Sequence, residues 1–202
     1  MNEKSHPWPA AATLQGKLVT VAPLGAEHHD ALVEVVRDGE LWNLWYTKVP
    51  SPETMRADIE RRLGLRERGS MLPFVVFDRA RGKLVGATSY MNIDADHRRV
   101  EIGATWYAQS AQRTGLNTEC KHLLLRHAFE RLDCIAVEFR TGSVNFQSRR
   151  AIERLGAKLD GILRSHQHYT NGALRDTCVY SITAAEWPTV KAHLEWQMAK
   201  PR

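Results

Sequence analysis

The chain has 202 residues, of which 43% are hydrophobic, 25% charged and 8% aromatic, which suits one domain with a sizeable core and excludes a disordered protein. No apolar run reaches the roughly 18 residues that span a bilayer, and the first residues lack the regions of a secretory signal, so we expect a cytoplasmic protein. The net charge of +5 favours anionic partners only weakly, because the basic residues are scattered. Three cysteines without CxxC spacing indicate neither a disulfide framework nor a zinc site.

The first third of the chain predicts a strand, a helix, an aromatic-rich connection and a second helix, in the segments KLVTVAPL, GAEHHDALVEVVRDG, LWNLWYTKVP and SPETMRADIERRLGLRERG. The first helix would present Leu32, Val35 and Val36 on one face. The second helix carries its own start and stop signals, because Ser51 suits the N-cap and Gly69 suits the exit.

Three runs of strand character follow, MLPFVVFD, KLVGATSYMNI and RVEIGATWYA, and the turn-rich links between them predict an antiparallel meander. A polar loop, SAQRTGLNT, then leads into a long helix from Thr118 to Leu132. The rest predicts a fifth strand, a helix, a closing hairpin and a last helix, in CIAVEFRT, NFQSRRAIERLG, AKLDGILRSHQHY with ALRDTCVYSIT, and AEWPTVKAHLEWQM.

These elements predict one mixed α/β (α+β) domain around a central, mostly antiparallel seven-stranded sheet that is flanked by helices. The domain is expected to span residues 17–195, between an N-terminal extension (1–16) and a C-terminal tail (196–202). No repeat, low-complexity segment or linker suggests an internal boundary.

The polar loop before the long helix suits an anion. A helix N-terminus carries unpaired N–H groups and a partial positive charge, and a loop that turns its own N–H groups the same way forms a nest for phosphate oxygens. Gly115 would allow a positive φ and the close approach of a ligand, and Arg113 adds a fork of donors. A plain polar turn with a convenient glycine explains the loop equally well. Neither a Walker loop nor the GxGxxG fingerprint occurs.

Four ordered segments resemble one family. Gln112-Arg113-Thr114-Gly115-Leu116-Asn117 resembles the Q/R-x-x-G-x-G/A signature of the GNAT superfamily of acyl-CoA-dependent N-acetyltransferases, with Asn117 in place of the usual glycine or alanine. The N-x-x-S at Asn145 to Ser148 and the LGA at 155–157 resemble a later segment of that family. RDTCVYSI and the following EWP are similar to the closing strand of its ribosomal-protein N-terminal acetyltransferase (RimJ/RimL-like) branch. The resemblance covers about residues 17 to 195.

The resemblance implies a GNAT-like fold with a V-shaped splay between predicted strands 4 and 5, where acetyl-CoA, the implied acyl donor, would lie like an extra strand. It implies that the pantetheine arm pairs with backbone groups of Trp106, Tyr107 and Ala108. The pyrophosphate would bind the backbone N–H groups of the loop, with a glutamine and a threonine at its flanks: Gln112, Arg113, Thr114, Gly115, Leu116, Asn117 and Thr118. Asparagine tolerates left-handed backbone better than most residues, so Asn117 is compatible with the loop.

The resemblance also implies that Ser148 donates a proton to the leaving sulfur and that Asn145 holds the cofactor arm. An N-cap role for Asn145 and an ordinary surface hydroxyl for Ser148 are the structural alternatives. Glu101 and Glu138 are the candidate general bases, since a carboxylate on a mostly buried strand has a raised pKa. Either could instead form a structural ion pair with Arg99 or Arg140, and a water-mediated route needs no dedicated base.

The acceptor pocket is expected near two further clusters. Trp42, Trp45 and Tyr46 lie between the first two helices, where aromatic faces could hold a cationic amine, although core packing of at least one tryptophan explains them as well. His166 and His168 fall on one face of a strand and could border the acceptor pocket or be plain surface histidines. Their spacing suits a metal, but no third ligand is near in sequence, so no metal is expected.

The sequence therefore predicts an acetyl-CoA-dependent N-acetyltransferase that transfers the acetyl group directly, through a tetrahedral intermediate, to a primary amine. The amine could belong to a protein N-terminus or to a small molecule; a neutral α-amine is more abundant at pH 7 than a neutral lysine. A non-catalytic module that binds acyl-CoA, RNA or the ribosome, and a transferase for a longer acyl group such as succinyl, stay open as alternatives. No membrane or nucleic-acid partner is expected, and a homodimer is compatible with the sequence.

Overall fold

The computed structural model describes residues 8–200, so the first seven residues of the predicted N-terminal extension and the last two of the predicted tail lie outside the described part. In chain order the elements are β1 (Leu14–Gln15), β2 (Val19–Pro23), α1 (His29–Arg37), α2 (Met55–Glu67), β3 (Met71–Asp78), β4 (Lys83–Asp94), β5 (Arg99–Tyr107), α3 (Leu116–Glu130), β6 (Ala136–Gly142), α4 (Phe146–Glu153), β7 (Lys158–His168), β8 (Leu174–Thr183) and α5 (Trp187–Ala199). None of these helices is long and apolar enough to span a bilayer.

All strands join one sheet in the order β1-β2-β3-β4-β5-β6-β8-β7. Every neighbouring pair is antiparallel except β5 and β6, which run parallel. The predicted mixed, mostly antiparallel fold is confirmed, but within residues 8–200 the sheet has eight strands and not the predicted seven, because β1 pairs with β2 through Leu14 and Gln15. A two-residue strand is too short to show the alternation that predicts strands.

Helices cover both faces of the sheet. Arg62 of α2 reaches the hydroxyl of Ser89 on β4, whereas the hydroxyl of Tyr90, the next residue, donates to the carbonyl of Leu124 on α3 at 2.6 Å. Successive side chains of a strand point to opposite faces, so α2 and α3 lie on opposite sides of β4. Leu124 of α3 and Met55 of α2 are both fully buried and belong to one hydrophobic cluster, so core residues lie on both faces of the sheet.

The predicted buried face of α1 is confirmed, whereas for α2 the predicted end is confirmed and the predicted start is not. Leu32, Val35 and Val36 are all buried, as the spacing predicts. The helix α2 starts at Met55 rather than at Pro52, because residues 51–54 form a separate turn in which the N–H of Thr54 donates to the carbonyl of Ser51 at 3.1 Å. Beyond the end of α2, Gly69 adopts φ 71°, the left-handed exit that glycine allows.

The sheet opens between β5 and β6. These strands pair only from Arg99 to Glu101 with Ala136 to Glu138, after which β6 continues against β8 alone. On its other side β5 carries one extra residue relative to β4, and Ala104 at this bulge adopts φ 48°. A bulge bends a strand and increases its twist. The gap between the upper halves of β5 (102–107) and β6 (139–142) is called the V here.

Candidate active site

The loop at the head of the V, residues 109–115, forms a nest of backbone donors and is called the nest loop. It follows Ala108, contains a short 3₁₀ turn and runs directly into α3. Within residues 8–200, the N–H groups of Arg113, Thr114 and Gly115 donate to no acceptor. The left-handed residue is Arg113 at φ 58°, whereas Gly115 has φ −70°, so the positive φ expected of the glycine belongs to the arginine.

The first turn of α3 follows the nest loop directly. The N–H of Leu116 is 3.3 Å from the hydroxyl oxygen of Thr114, and Asn117 has ordinary helical backbone that needs no left-handed tolerance. The Oδ1 atom of Asn117 is buried without a hydrogen bond partner among the described residues. The side chain of Thr118 is buried in the first turn of α3, directly after the nest loop, and its place at the flank of the pyrophosphate stays a prediction.

Fewer backbone groups at the end of β5 are free to face the V than the resemblance implies. Both backbone groups of Ala108 are used, because its N–H donates to Val85 and its carbonyl accepts from Ala111, so the prediction for Ala108 is corrected. In an antiparallel ladder, every second residue exchanges hydrogen bonds with its partner strand. Because Ala108 bonds to β4, the backbone groups of Trp106 also point to β4, at Ala87, and those of Tyr107 point to the V.

Gln112 closes part of this edge. Its Nε2 atom donates to the carbonyl of Tyr107 at 3.2 Å, and its Oε1 atom accepts from Gln147 on α4 at 3.4 Å. By the alternation of the ladder, the N–H of Tyr107 points away from β4 and toward the V. One glutamine therefore connects β5, the nest loop and the start of α4.

The start of α4 lies on the opposite side of the V. Asn145 is the N-cap of this helix, and its Oδ1 atom accepts from the N–H of Ser148 at 3.1 Å. Asn145 therefore has the N-cap role that was the structural alternative for it. The hydroxyl of Ser148 is half-buried and has no hydrogen bond partner within the described chain, so it is available to a ligand.

Glu101 and Glu138 are paired residues of β5 and β6 at the base of the V, but their surroundings differ. Glu138 is held by the guanidinium groups of Arg99 and Arg140, the structural ion pair considered from the sequence. Glu101 is buried; its Oε2 atom accepts from Asn92 at 2.7 Å and lies 3.6 Å from Nε of Arg140.

Burial raises the pKa of Glu101, opposed mainly by the hydrogen bond from Asn92 and by the charge of Arg140. A raised pKa keeps a carboxylate basic enough to accept a proton near neutral pH. Glu101 therefore has the environment of a general base, whereas Glu138 has that of an ion-pair partner.

The aromatic residues of the α1–α2 connection meet the β7–β8 turn. Trp45 is exposed by 46% and packs edge-on against the ring of Tyr169, with 5.0 Å between centroids, and against Tyr46 at 5.7 Å. The hydroxyl of Thr170 is 3.4 Å from the carbonyl of Trp45. Trp42 instead packs against the hydrophobic core, which agrees with the alternative that at least one of these tryptophans is a core residue.

The two histidines of β7 are exposed and have ordinary partners. Nδ1 of His166 lies 3.2 Å from the hydroxyl of Thr177, and Nδ1 of His168 lies 3.2 Å from the carbonyl of Gly172. Residues 8–200 contain no group of three or more His, Cys, Asp or Glu side chains that could hold a metal ion.

Sequence reasoning missed one polar residue beneath the V, Lys121 on α3. It is buried, and its ammonium donates to the hydroxyls of Thr105 at 2.6 Å and Thr88 at 3.1 Å. Burial lowers its pKa to about 8. A signal was present, because Lys121 precedes Leu124 and Leu125 by three and four residues and so shares their buried helix face.

Two more residues missed from the sequence, Tyr169 and Arg175, lie at the end of β6. The phenol oxygen of Tyr169 and Nε of Arg175 are buried beside Gly142. No sequence signal marks this cluster, because turn and strand residues from β6 to β8 form it only through tertiary packing.

A family model described as an acetyltransferase (GNAT) domain matches residues 19–158. No curated protein matches the chain by sequence. Among solved structures, a T. thermophilus protein assigned as an acetyltransferase is 33% identical over 94% of this chain and 98% of its own, with a TM-score of 0.81. A GCN5-related N-acetyltransferase from Brucella melitensis is 30% identical over 96% and 88% of the two chains, with a TM-score of 0.83.

Mycobacterium smegmatis RimJ, solved in complex with CoA-disulfide, is 22% identical over 95% of this chain and 96% of its own, with a TM-score of 0.77, a likeness that shows the fold alone. The family model covers more than half of the chain, and the T. thermophilus and Brucella melitensis structures both reach 30% identity over nearly its whole length. The chain therefore belongs to the GNAT acetyltransferase family and is an acyltransferase.

Proposed function

We propose that this acyltransferase moves the acetyl group of acetyl-CoA to a primary amine bound on the α2 face of the V. The observation that carries the proposal is a row of donors along one side of the V: the free N–H groups of Arg113, Thr114 and Gly115, and the N–H of Tyr107 that the ladder directs to the V. GNAT enzymes use acetyl-CoA, whose pyrophosphate is an anion and whose pantetheine arm carries strand-like amides. The residues present fit both parts.

The nest loop is proposed to hold the pyrophosphate. Three free N–H groups point from a left-handed turn and a helix N-terminus, an arrangement that favours phosphate oxygens. The exposed guanidinium of Arg113 adds a charged donor. When bound, acetyl-CoA supplies an activated thioester; the N–H of Tyr107 is proposed to stabilise the negative charge that develops on its carbonyl oxygen.

Two side chains are proposed to move protons. Glu101 accepts the proton of the amine, directly or through one water, because burial keeps its carboxylate basic. Ser148, on the opposite side of the V with a free hydroxyl, donates a proton to the leaving thiolate. Asn145 orients Ser148 through the N-cap contact to its backbone.

Isothermal titration of acetyl-CoA tests the cofactor site. The Gly115→Trp variant places a large side chain in the nest loop, and Gly161→Trp is the matched control, since a Cβ at Gly161 meets no atom within 4 Å. We expect micromolar binding by the wild type and the control, and at least about tenfold weaker binding by Gly115→Trp. Circular dichroism checks that each variant is folded.

Transfer is measured as the release of free CoA thiol with a panel of amines that includes amino acids, peptides with free N-termini and lysine side chains. Thiol release with at least one amine supports the proposal. If the wild type neither binds acetyl-CoA nor releases CoA with any amine, the proposed function is wrong.

A further inference from the structure

Two polar side chains lie against the end of β6, in the space that a side chain at Gly142 would fill. Gly142 is its last residue, and a Cβ added there would clash with the phenol oxygen of Tyr169 and lie 3.4 Å from Nε of Arg175. Both polar atoms therefore lie next to Gly142. The absence of a side chain at Gly142 allows this approach.

Neither polar atom has a partner in the protein. The phenol oxygen of Tyr169 and Nε of Arg175 are both buried, and neither makes a hydrogen bond within residues 8–200. Tyr169 is 8% exposed, and burial raises its pKa, so the phenol keeps its proton and can donate. Buried donors in native proteins are nearly always satisfied, so two unsatisfied donors side by side point to an acceptor from outside the chain.

The guanidinium of Arg175 is also without an anion. Its Nη1 atom donates to the neutral amide of Gln167, whereas the described ion pairs at the V involve Arg99 and Arg140. A planar guanidinium with a free Nε edge binds a carboxylate by two parallel hydrogen bonds, and a phenol beside it can supply a third donor.

The two donors lie on the same face of the sheet as the candidate base. The charge of Arg175 also lowers the pKa of Glu101. Glu138, which is paired with Glu101, and Gly142 point to the same face of β6 because they are four residues apart on one strand. A ligand carboxylate beside Gly142 would thus share one face of the sheet with the group that takes the amine proton.

The phenol of Tyr169 is also held in place by its neighbours. The backbone N–H of Tyr169 donates to the carbonyl of Ala173 at 2.9 Å, and its ring packs against that of Trp45. The phenol is therefore positioned by the β7–β8 turn and by the α1–α2 connection together. Such preorganised donors favour one ligand geometry over others.

We propose that Arg175 and Tyr169 form a subsite for a carboxylate of the acceptor, so that the substrate is an amine with a carboxylate close to its amino group, as in a free amino acid. This inference rests on the proposed function, because it identifies the class of acceptor for the same reaction. A free α-carboxylate and an acidic side chain beside a peptide N-terminus offer the same chemistry, and the test separates them.

The test compares acceptors with and without the carboxylate. CoA release is measured with the twenty L-amino acids, with their α-carboxamides, and with a peptide amide that begins with Asp. The Arg175→Gln and Tyr169→Phe variants are compared with Arg164→Gln, which removes an exposed arginine of the same hairpin. We expect the wild type and Arg164→Gln to prefer acids over carboxamides by at least about tenfold in kcat/KM.

In Arg175→Gln, measured at a pH where Glu101 is ionised in both proteins, KM for the acids should rise about tenfold or more while KM for the carboxamides stays unchanged. Tyr169→Phe should show a smaller loss in the same direction. Transfer to the Asp peptide amide at the level of the free acids would assign the subsite to a side-chain carboxylate; poor transfer to it would assign the subsite to the α-carboxylate. Equal use of acids and carboxamides by the wild type, or equal losses for both in Arg175→Gln, would overturn the proposal.

A binding measurement without acetyl-CoA separates this inference from the proposed function. Saturation-transfer NMR compares N-acetyl-L-alanine with N-acetyl-L-alaninamide on the wild type and on Arg175→Gln. A signal for the acid that the variant loses supports the carboxylate subsite even if no amine is acetylated. The same signal for both probes, or for neither, contradicts it.

Discussion

Glu101 is surrounded by groups that move its pKa in opposite directions. Burial and the neighbouring Glu138 raise the pKa, while the hydrogen bond from Asn92 and the charges of Arg140 and Arg175 lower it. A general base acts only when it is deprotonated, so kcat/KM should rise with pH through the pKa of Glu101. The acidic limb of the pH profile should therefore lie above the range of an ordinary glutamate.

Removal of a positive charge beside Glu101 should shift the acidic limb of the pH profile to higher pH. Arg140→Met takes away a charge that favours the ionised carboxylate, so the pKa of Glu101 should rise and the acidic limb should move to higher pH. Arg56→Met, at an exposed position of α2, is the control and should leave the limb unchanged. The pH dependence of kcat/KM for both variants and for Glu101→Gln measures this.

Glu101→Gln should remove the limb and lower kcat/KM about a hundredfold or more, the usual range for a general base. An acidic limb that survives in Glu101→Gln, or an Arg140→Met profile that coincides with that of the wild type, would assign the proton transfer to another group. A water-mediated route would then replace Glu101.

At the scale of elements, the sequence was most informative where a pattern is local. The strand patterns of β3 to β5 and the apolar face of α1 could be predicted directly from the sequence. The two ends of the α4 segment could be predicted as well, from Asn145 and from Gly156, which adopts φ 95°. The approximate place of the V also followed, but only through the resemblance.

The features of the site that could not be predicted from the sequence depend on contacts between elements that are distant in the chain. Ala108 lost its predicted role because the ladder with β4 uses its N–H, a matter of register that the sequence does not display. The left-handed residue of the nest loop is Arg113 and not the glycine, since the chain path into α3 decides which residue turns. The pairing of Glu138 with two arginines likewise arises only when β5 and β6 meet.

The carboxylate of Glu119 connects α3 to the β1–β2 turn. It accepts from the backbone N–H groups of three consecutive residues, Lys17 at 2.9 Å, Leu18 at 2.7 Å and Val19 at 2.8 Å. Glu119→Gln exchanges one acceptor oxygen for an NH₂ group that faces a donor. We expect a loss of about 2–3 kcal/mol in the free energy of unfolding, because the site is buried and the acceptor is charged.

Chemical denaturation measures this loss, and Glu60→Gln on the exposed face of α2 is the matched control. Gly16→Ala should also destabilise the protein, because a Cβ at Gly16 would collide with the Glu119 carboxylate. A Glu119→Gln variant that unfolds at the same denaturant concentration as the control would show that the contact contributes little.

For the molecule as a whole, the unusual electrostatic feature is the ammonium of Lys121 under the sheet. It has two hydroxyl partners, Thr88 and Thr105, and burial lowers its pKa to about 8, against about 10.4 in an unfolded chain. Below pH 8 the folded protein carries a desolvated charge that the unfolded chain keeps hydrated. Between about pH 8 and 10.4 the folded state holds fewer protons than the unfolded state, so this residue contributes more stability as the pH rises.

Lys121→Met removes the charge and keeps most of the side-chain volume, while the hydroxyls of Thr88 and Thr105, 2.8 Å apart, can still bond to each other. The variant should be the more stable protein at pH 7, by up to about 3 kcal/mol, and this advantage should disappear as the pH approaches about 10.4. Burial raises the pKa of the Cys120 thiol and of the Tyr107 phenol, so both proteins lose stability at alkaline pH. The charge of Lys121 lowers the pKa of Cys120, so the difference between the two proteins contains the titration of Lys121 together with its effect on this thiol.

The measurement is the free energy of unfolding in urea at intervals from pH 7 to 10.5 for the wild type, Lys121→Met and Lys48→Met, an exposed control. The Lys48 variant should follow the wild type at every pH, because its ammonium is hydrated in both states. A constant difference between Lys121→Met and the wild type over this range would mean that the lysine acts through packing alone. A difference that shrinks between pH 8 and 10.4 ties the stability of the whole fold to one desolvated ammonium beside the bulge of β5.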